Sequence, residues 1–412
     1  MTASFELGEE HRDFRRAVAE FAAAELAPYV TDWNAGHELP LEAVRRMADF
    51  GLFGLSGPEE YGGAGDFTSL CVAVEEIGRV DQSLGITLEA AVGLGINPIA
   101  AFGTPGQRER WLPDLVAGRT LAGFGLTEAE AGSDAHATRT RAELADGEWV
   151  VNGSKQFITN SGTQITSVVA VTARTGTRLD GAPELSALLL PRDTVGFTVE
   201  PAYDKLGWFA SDTHPLTFVD ARVPEDHLLG ERGQGYAQFL AILDDGRVAI
   251  AALALGCIRA CRDLAAAYAL DRTTFGRPIG SRQGVAFSIA DLDVMARTAD
   301  LLVYAAAAMR DAERTGPAYK RAAAIAKLYA TESAVTATRI ATQVFGGYGF
   351  MNEYPVARFY RDAKVLEIGE GTSEVQRLVI ARGLGLPVAP PWWSPTTRAS
   401  RRGPGVPGRW RR

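Results

Sequence analysis

The chain has 412 residues, of which 46% are hydrophobic and 22% charged, with a net charge of −8. The length exceeds one ordinary core and predicts two or three domains, and the balance is that of a soluble globular protein. The negative charge argues against nucleic acid as the main partner.

The opening residues, Met1 to Glu10, are acidic and lack an apolar signal core or an Arg-rich transit character, so a cytoplasmic protein is expected. No run reads as long and apolar enough to span a membrane. Cys71, Cys257 and Cys261 form no metal-type spacing with the five histidines, so no metal site is expected. Cys257 and Cys261, four apart in an Ala-rich run, read as core or interface thiols of a reducing compartment.

Residues 5–120 read as an N-terminal helical domain. Phe14, Val18, Phe21 and Leu26 recur at helical spacing, and six prolines from Pro28 to Pro113 divide the region into several helices. Gly62-Gly63-Ala64-Gly65 reads as a loop. Over residues 121–231 β signals dominate. Asp146-Gly147 and Asn152-Gly153 read as two hairpin turns between runs at 138–144, 148–151 and 155–159. No helix-length segment separates the later apolar runs, which predicts a middle antiparallel β domain.

Residues 232–387 read as helical again. The run 247–269 is apolar nearly all round and predicts a helix buried in a bundle or between subunits. Gly276-Arg277-Pro278 and Gly346-Gly347 read as helix ends, and Gly316-Pro317 as a turn between long Ala-rich helices. Residues 388–412, Pro-rich and then basic with six Arg and no acid, read as a disordered tail. Helices, then strands, then helices exclude most folds in which strand and helix alternate.

Near the end lies Arg361-Asp-Ala-Lys-Val-Leu-Glu-Ile-Gly-Glu-Gly-Thr-Ser-Glu-Val-Gln376. Gly369 and Gly371 break the helix around Glu370, and Ser373 with Gln376 reads as the capping box of the next helix. Glu370 thus sits on a turn before a helix N-terminus, where a fixed carboxylate suits proton abstraction beside a carbonyl. The plainer reading is a loop with a solvated Glu. A dinucleotide phosphate loop fits worse, because Glu374 stands where a third Gly belongs and no strand precedes it.

Four further stretches join this one. Leu126-Thr-Glu-Ala-Glu-Ala-Gly-Ser-Asp134 follows the first strand, with small residues and the hydroxyls of Thr127 and Ser133. Phe157-Ile-Thr-Asn160 ends a strand with an aromatic ring and a hydroxyl on one side. Arg272-Thr-Thr-Phe-Gly276 ends a helix with a phosphate-type fork. Gln343-Val-Phe-Gly-Gly347 sets an amide beside a close-approach backbone. Each alone is ordinary structure.

Together, with Gly51–Leu55, Pro58–Gly63 and Tyr354–Arg358, they resemble the acyl-CoA dehydrogenase family over about Phe5 to Leu386. The resemblance implies a mostly α, three-domain fold with a middle antiparallel β-barrel, FAD as cofactor, an acyl-CoA substrate, electron-transferring flavoprotein as redox partner and a homotetramer. It places Phe124, Leu126, Thr127 and Ser133 against the flavin, with Ser133 also near substrate. Phe157 and Thr159 fall at the isoalloxazine ring, and Thr372 and Glu374 at further flavin contacts. Arg272, Thr274, Phe275, Gln283, Gln343, Gly346 and Gly347 match the FAD pyrophosphate and adenine contacts, partly supplied by a neighbouring subunit. Asp244, Arg247 and Gly371 match the substrate side.

Glu370 matches the usual catalytic base. Some family members carry the base instead at the position of Gly246. Members often have Trp at Phe157 and Tyr at Gly369. The second departure implies a roomier acyl pocket, with Thr87, Ala90 and Ala91 as further lining. The implied reaction is α,β-dehydrogenation of an acyl-CoA to the trans-2-enoyl-CoA, in fatty acid or branched-chain acyl metabolism. The rivals are a flavin oxidase or monooxygenase on the same fold, and a dehydrogenase of carrier-protein thioesters.

Overall fold

The computed structural model describes residues 7–388. The tail reading therefore lies outside the described residues from 389 onward. The first helices are α1 (Glu9–Phe21), α2 (Val30–Gly36), α3 (Leu41–Asp49), α4 (Phe67–Val80), α5 (Gln82–Glu89), α6 (Asn97–Phe102) and α7 (Pro105–Val116). Local chemistry sets their ends. Asp66 caps α4 by accepting from Ser69 N at 2.8 Å, and Asp81 caps α5 by accepting from Leu84 N at 3.0 Å. Thr104 and Gln107 form a capping box at α7.

A wide π turn, Ala90–Ile96, joins α5 to α6, so 82–102 is one helical run. Against expectation, this run is long and apolar enough to cross a membrane. Because 78% of its apolar window is buried inside the protein, it is a core helix.

The strands are β1 (Leu121–Gly125), β2 (Arg141–Ala145), β3 (Glu148–Thr159), β4 (Thr166–Thr177), β5 (Pro183–Pro191), β6 (Phe197–Val199), β7 (Thr213–Pro224) and β8 (Leu228–Leu229). They form one sheet in the order β6-β7-β3-β2-β4-β5-β8, with β1 beside β4. The purely antiparallel expectation is corrected: β1 runs parallel to β4, and β2 also meets β4 in parallel through Arg141 and Arg174. β1 enters from the helical region, not by a hairpin, so no turn forces it antiparallel.

Asp146-Gly147 is a hairpin turn with φ of 54° and 80°. Asn152-Gly153 is not a turn. It lies inside β3 as a bulge, where Gly153 takes φ 146° and a Cβ would approach Thr140 to 2.6 Å.

The remaining helices are α8 (Gly235–Asp271), α9 (Gln283–Asp311), α10 (Pro317–Phe345), α11 (Pro355–Asp362) and α12 (Ser373–Gly383). The expected buried helix is the central part of α8, which packs on α4, α9 and α10. Glu75 ties the bundle together: fully buried on α4, it bonds Arg15 of α1 at 3.0 Å, Arg259 of α8 and Tyr304 of α9. Gly276-Arg277-Pro278, expected at a helix end, forms instead a short hairpin of β9 (Thr273–Thr274) and β10 (Arg277–Pro278) after α8 stops at Asp271. Phe275 and Gly276 take positive φ there, the conformation of a two-residue turn.

Candidate active site

Glu370 sits in the turn between the helical segment ending at Glu367 and α12. It holds φ 51°, and Gly371 follows at φ 96°. A non-glycine residue in the left-handed region costs free energy and persists only where its surroundings fix it. Here two donors fix the turn: Lys327 Nζ of α10 donates to Gly371 O at 2.7 Å, and Gln376 Nε2 of α12 donates to it at 2.8 Å. The capping assignment shifts by one residue. Thr372, not Ser373, is the N-cap, accepting from Val375 N at 3.3 Å. The helix therefore begins one residue earlier, and the turn that holds Glu370 and Gly371 is one residue shorter, than the sequence pattern implies.

The turn half-buries Glu370, and its inaccessible Oε2 has no hydrogen-bond partner within normal distance among the described residues. Oε2 faces α8 at Gly246, where a Cβ would lie only 2.1 Å away. The family resemblance gave Gly246 as the alternative position of the base, and the structure sets the two positions against one another. Burial raises the Glu370 pKa, whereas the neighbouring Glu89 carboxyl and the charges of Lys327 and Arg247 pull it down. Lys327 is pushed down to about 8 by burial. Arg247 and Asp244, both buried, pair at 2.5 Å, and Lys320 reaches Asp244 at 3.2 Å. Glu370, Gly246, Arg247 and Gly371 thus come together as one constellation.

The second group surrounds the end of β3. Phe157 is 62% exposed at φ 62° and Thr159 is half-buried, flanking the buried Ile158. Asn160, next in line, donates to Thr87 O at 3.1 Å and so ties the strand end to the helix carrying Thr87, Ala90 and Ala91, all buried. Opposite runs the 124–134 segment. Phe124 stacks on Phe239 with centroids 3.9 Å apart, Thr127 O accepts from Gln156 N, and Ser133 is exposed.

A buried ion pair holds this segment. Lys155 Nζ donates to Leu126 O at 3.1 Å and to Glu128 Oε1 at 2.7 Å, while Glu128 also accepts from Arg139 N and Thr140 N. Burial draws Lys155 down to about 8, against the pull of Glu128.

The third group is elsewhere. Arg272, Phe275, Gln283, Gln343, Gly346 and Gly347 are exposed and Thr274 half-buried. Arg272 lies above the Tyr348 ring, and Tyr268 stacks on Phe345, so the α8 end and the α10 end adjoin. Arg272, the residue just past the end of α8, follows Gly246 by 26 residues, roughly 39 Å along the helix. Thr372 is half-buried and Glu374 exposed, at the start of α12.

These features suit a flavin dinucleotide. An exposed aromatic ring in a left-handed backbone beside a hydroxyl offers a face to a planar ring system. An always-charged Arg with Gly346 and Gly347, neither of which has an atom within 4 Å of a Cβ position, suits an anionic tail. The sequence reading missed Glu89, Lys155 and Lys327. Glu89 and Lys327 are lone charges in runs of apolar or small residues, and that isolation was the available signal; Lys155, between Ser154 and Gln156, carried none.

Family models match along the chain: the acyl-CoA dehydrogenase N-terminal domain at residues 8–119, the middle domain at 123–221 and the C-terminal domain at 233–385. The chain belongs to the acyl-CoA dehydrogenase family. A probable acyl-CoA dehydrogenase, YngJ, of Bacillus subtilis is 45% identical over 382 residues, 92% of this chain and 99% of that protein. The structure of butyryl-CoA dehydrogenase from Megasphaera elsdenii superposes with a TM-score of 0.88 at 39% identity, covering 92% of this chain and 99% of that one. A structure from work on the electron transferring flavoprotein of Acidaminococcus fermentans and flavin-based electron bifurcation matches with the same TM-score, identity and coverage. Acyl-CoA dehydrogenases use FAD to dehydrogenate acyl-CoA thioesters between the α and β carbons, and that is the reaction class of this chain.

Proposed function

We propose that Glu370 is the base of this acyl-CoA dehydrogenase. The observation that carries the reading is a carboxylate on a strained turn, its Oε2 inaccessible to solvent, unpartnered and aimed at Gly246 of α8. Glu370 takes the α-proton of the acyl thioester, and its backbone N–H donates to the thioester carbonyl oxygen as charge develops there. The raised pKa makes the carboxylate a stronger acceptor near neutral pH. When bound, FAD supplies the acceptor for the β-hydride.

Phe157, Thr159, Phe124, Leu126, Thr127, Ser133, Thr372 and Glu374 hold the flavin ring end. Arg272, Thr274, Phe275, Gln283, Gln343, Gly346 and Gly347 hold the dinucleotide end of a neighbouring subunit's FAD. The helical distance between the two groups supports this division and, with it, a homotetramer. Asp244, Arg247, Ser133 and Gly371 serve the acyl-CoA. The divisions 5–120, 121–231 and 232–387 serve as domains, the middle one closing as a β-barrel. Electron-transferring flavoprotein is the proposed acceptor, supported by the match to a structure from work on that protein.

The acyl pocket is roomy beside the base. A Cβ at Gly369 would meet nothing nearer than Val365 O at 3.6 Å, so a branch on the acyl group fits where a larger side chain would obstruct it. Anaerobic absorbance titration of the holoenzyme with straight and branched acyl-CoAs tests the reading. Bleaching of oxidised flavin by a branched short-chain thioester is expected. A flavin that no acyl-CoA bleaches refutes it.

A further inference from the structure

We propose that Glu89 is a positioning residue for the proton transfer: its carboxyl pairs with that of Glu370 in a buried site that holds one proton between them. The inference rests on the reading of Glu370 as base, and it begins from space. Glu89 ends α5, is fully buried, and finds no donor for either carboxylate oxygen among the described residues. Two glycines on two helices make room for it. A Cβ at Gly93, one turn on, would come within 2.8 Å of Glu89 Oε1. A Cβ at Gly246 would lie 3.7 Å from the same oxygen and 2.1 Å from Glu370 Oε2. Both carboxyls therefore converge on the same point of α8, the missing side chain of Gly246. The helix widens into its π turn directly after Glu89, a distortion that recurs at functional sites.

Charge then fixes the proton count. Facing Glu370 are Glu89 from the 82–102 run, Arg247 from α8 and Lys327 from α10. Arg247 is already matched by Asp244 at 2.5 Å, while Lys320, which also reaches that carboxylate, has a 53% exposed side chain and keeps its charge in solvent, outside the buried site. Lys327 remains to balance the pair. Two ionised carboxylates against one buried ammonium would leave a buried charge uncompensated, which is strongly unfavourable. One of the two is therefore neutral. Glu89 has burial and the neighbouring carboxylate against it, whereas Glu370 has both cations in its favour. The proton resides on Glu89, and its O–H is the donor that Glu370 otherwise lacks.

In the reaction Glu89 contributes no atom. The α-proton arrives on Glu370, bringing the pair to two protons and no charge, and one proton leaves to restore the starting state. The O–H of Glu89 holds the Glu370 carboxylate in position and keeps it ionised at lower pH than burial alone would allow.

The test is the pH profile of anaerobic flavin reduction by substrate in wild type, E89Q and E89L holoenzyme. E89Q retains a donor, an amide N–H, and its acid limb stays where wild type has it. E89L removes the donor, and the acid limb moves up by about one pH unit, a roughly tenfold loss at low pH that recovers at high pH. An E89L rate lowered equally at every pH, with the limb unmoved, overturns the proposal. Infrared spectra give a readout that needs neither turnover nor Glu370 as base. A protonated-carboxyl band at pH 8, lost in E89Q, is expected. An unchanged band pattern in E89Q overturns the pair even if E89L fails to fold. If flavin reduction survives in E370Q while the band is lost in E89Q, the base assignment fails and the pair stands.

Discussion

The sharpest consequence of the site is a single methyl group. In G246A the added carbon would sit 2.1 Å from Glu370 Oε2, where ordinary contact begins near 3.4 Å. Something has to give by about 1 Å, and what gives is the end of a flexible side chain, not backbone. The next atom, Glu370 Cδ at 3.2 Å, belongs to the same side chain, and Glu89 Oε1 at 3.7 Å is already at ordinary contact distance. The helices therefore need not move, and replacing Gly by Ala inside α8 should favour the fold by about 0.5–1 kcal/mol. The base, by contrast, is displaced. A misplacement of about 1 Å costs on the order of 100-fold in rate, equivalent to roughly 2.7 kcal/mol of barrier. Stopped-flow flavin reduction and thermal unfolding of the same preparation separate the two effects. The expected result is a melting temperature unchanged or raised, with reduction slowed about 100-fold. Reduction within threefold of wild type would show that Glu370 does not work from the position described.

Three further predictions address the surroundings of the site. K155M strands Glu128, which is almost fully buried, without its cation; unfolding free energy should fall by about 3–5 kcal/mol, and a loss below about 1 kcal/mol contradicts the role given to that pair. Asp362 is buried, donates nothing when ionised, accepts from Trp208 N at 2.7 Å and is pushed up to about 7 by burial and by Asp81. Its folded pKa exceeds the unfolded value of 3.8, so the protein binds this proton more tightly than the unfolded chain does, and stability falls as pH rises from about 4 to 7. The melting temperature of D362N relative to wild type should accordingly climb between pH 5 and pH 8, and a pH-independent difference would refute the shift. R272A should lose FAD on dialysis and weaken subunit association together, because the residue serves a neighbour's cofactor; unchanged retention of both excludes that assignment.

How much of this was legible beforehand follows from the range of each interaction. The helix–strand–helix order, the Asp146-Gly147 hairpin and the helix break at Glu370 are local events, written in spacing and in turn residues. Asn152-Gly153 misled because the same dipeptide that makes a tight turn also makes a bulge, and only pairing with β7 decides between them. The parallel entry of β1 was hidden for a similar reason: its partner β4 begins some forty residues later and no local signal names it. Within the site, Glu370 stood out because glycines flank it. Glu89 did not, since isolation in an apolar helical run marks a buried charge but not its role, which emerges only when α8 brings Gly246 across from it. The cap fell one residue from its expected place because Thr and Ser are both competent caps, and the left-handed Gly371 chooses between them.

The central claim is that Glu370 abstracts the α-proton. The most direct measurement compares anaerobic flavin bleaching by a reactive acyl-CoA in wild type and in E370Q, with ligand binding followed separately by the shift of the oxidised flavin spectrum. E370Q should retain FAD, show the binding shift and fail to bleach, with reduction at least 1,000-fold slower, roughly 4 kcal/mol of lost transition-state stabilisation. Bleaching at a near-wild-type rate would place the base elsewhere in the chain.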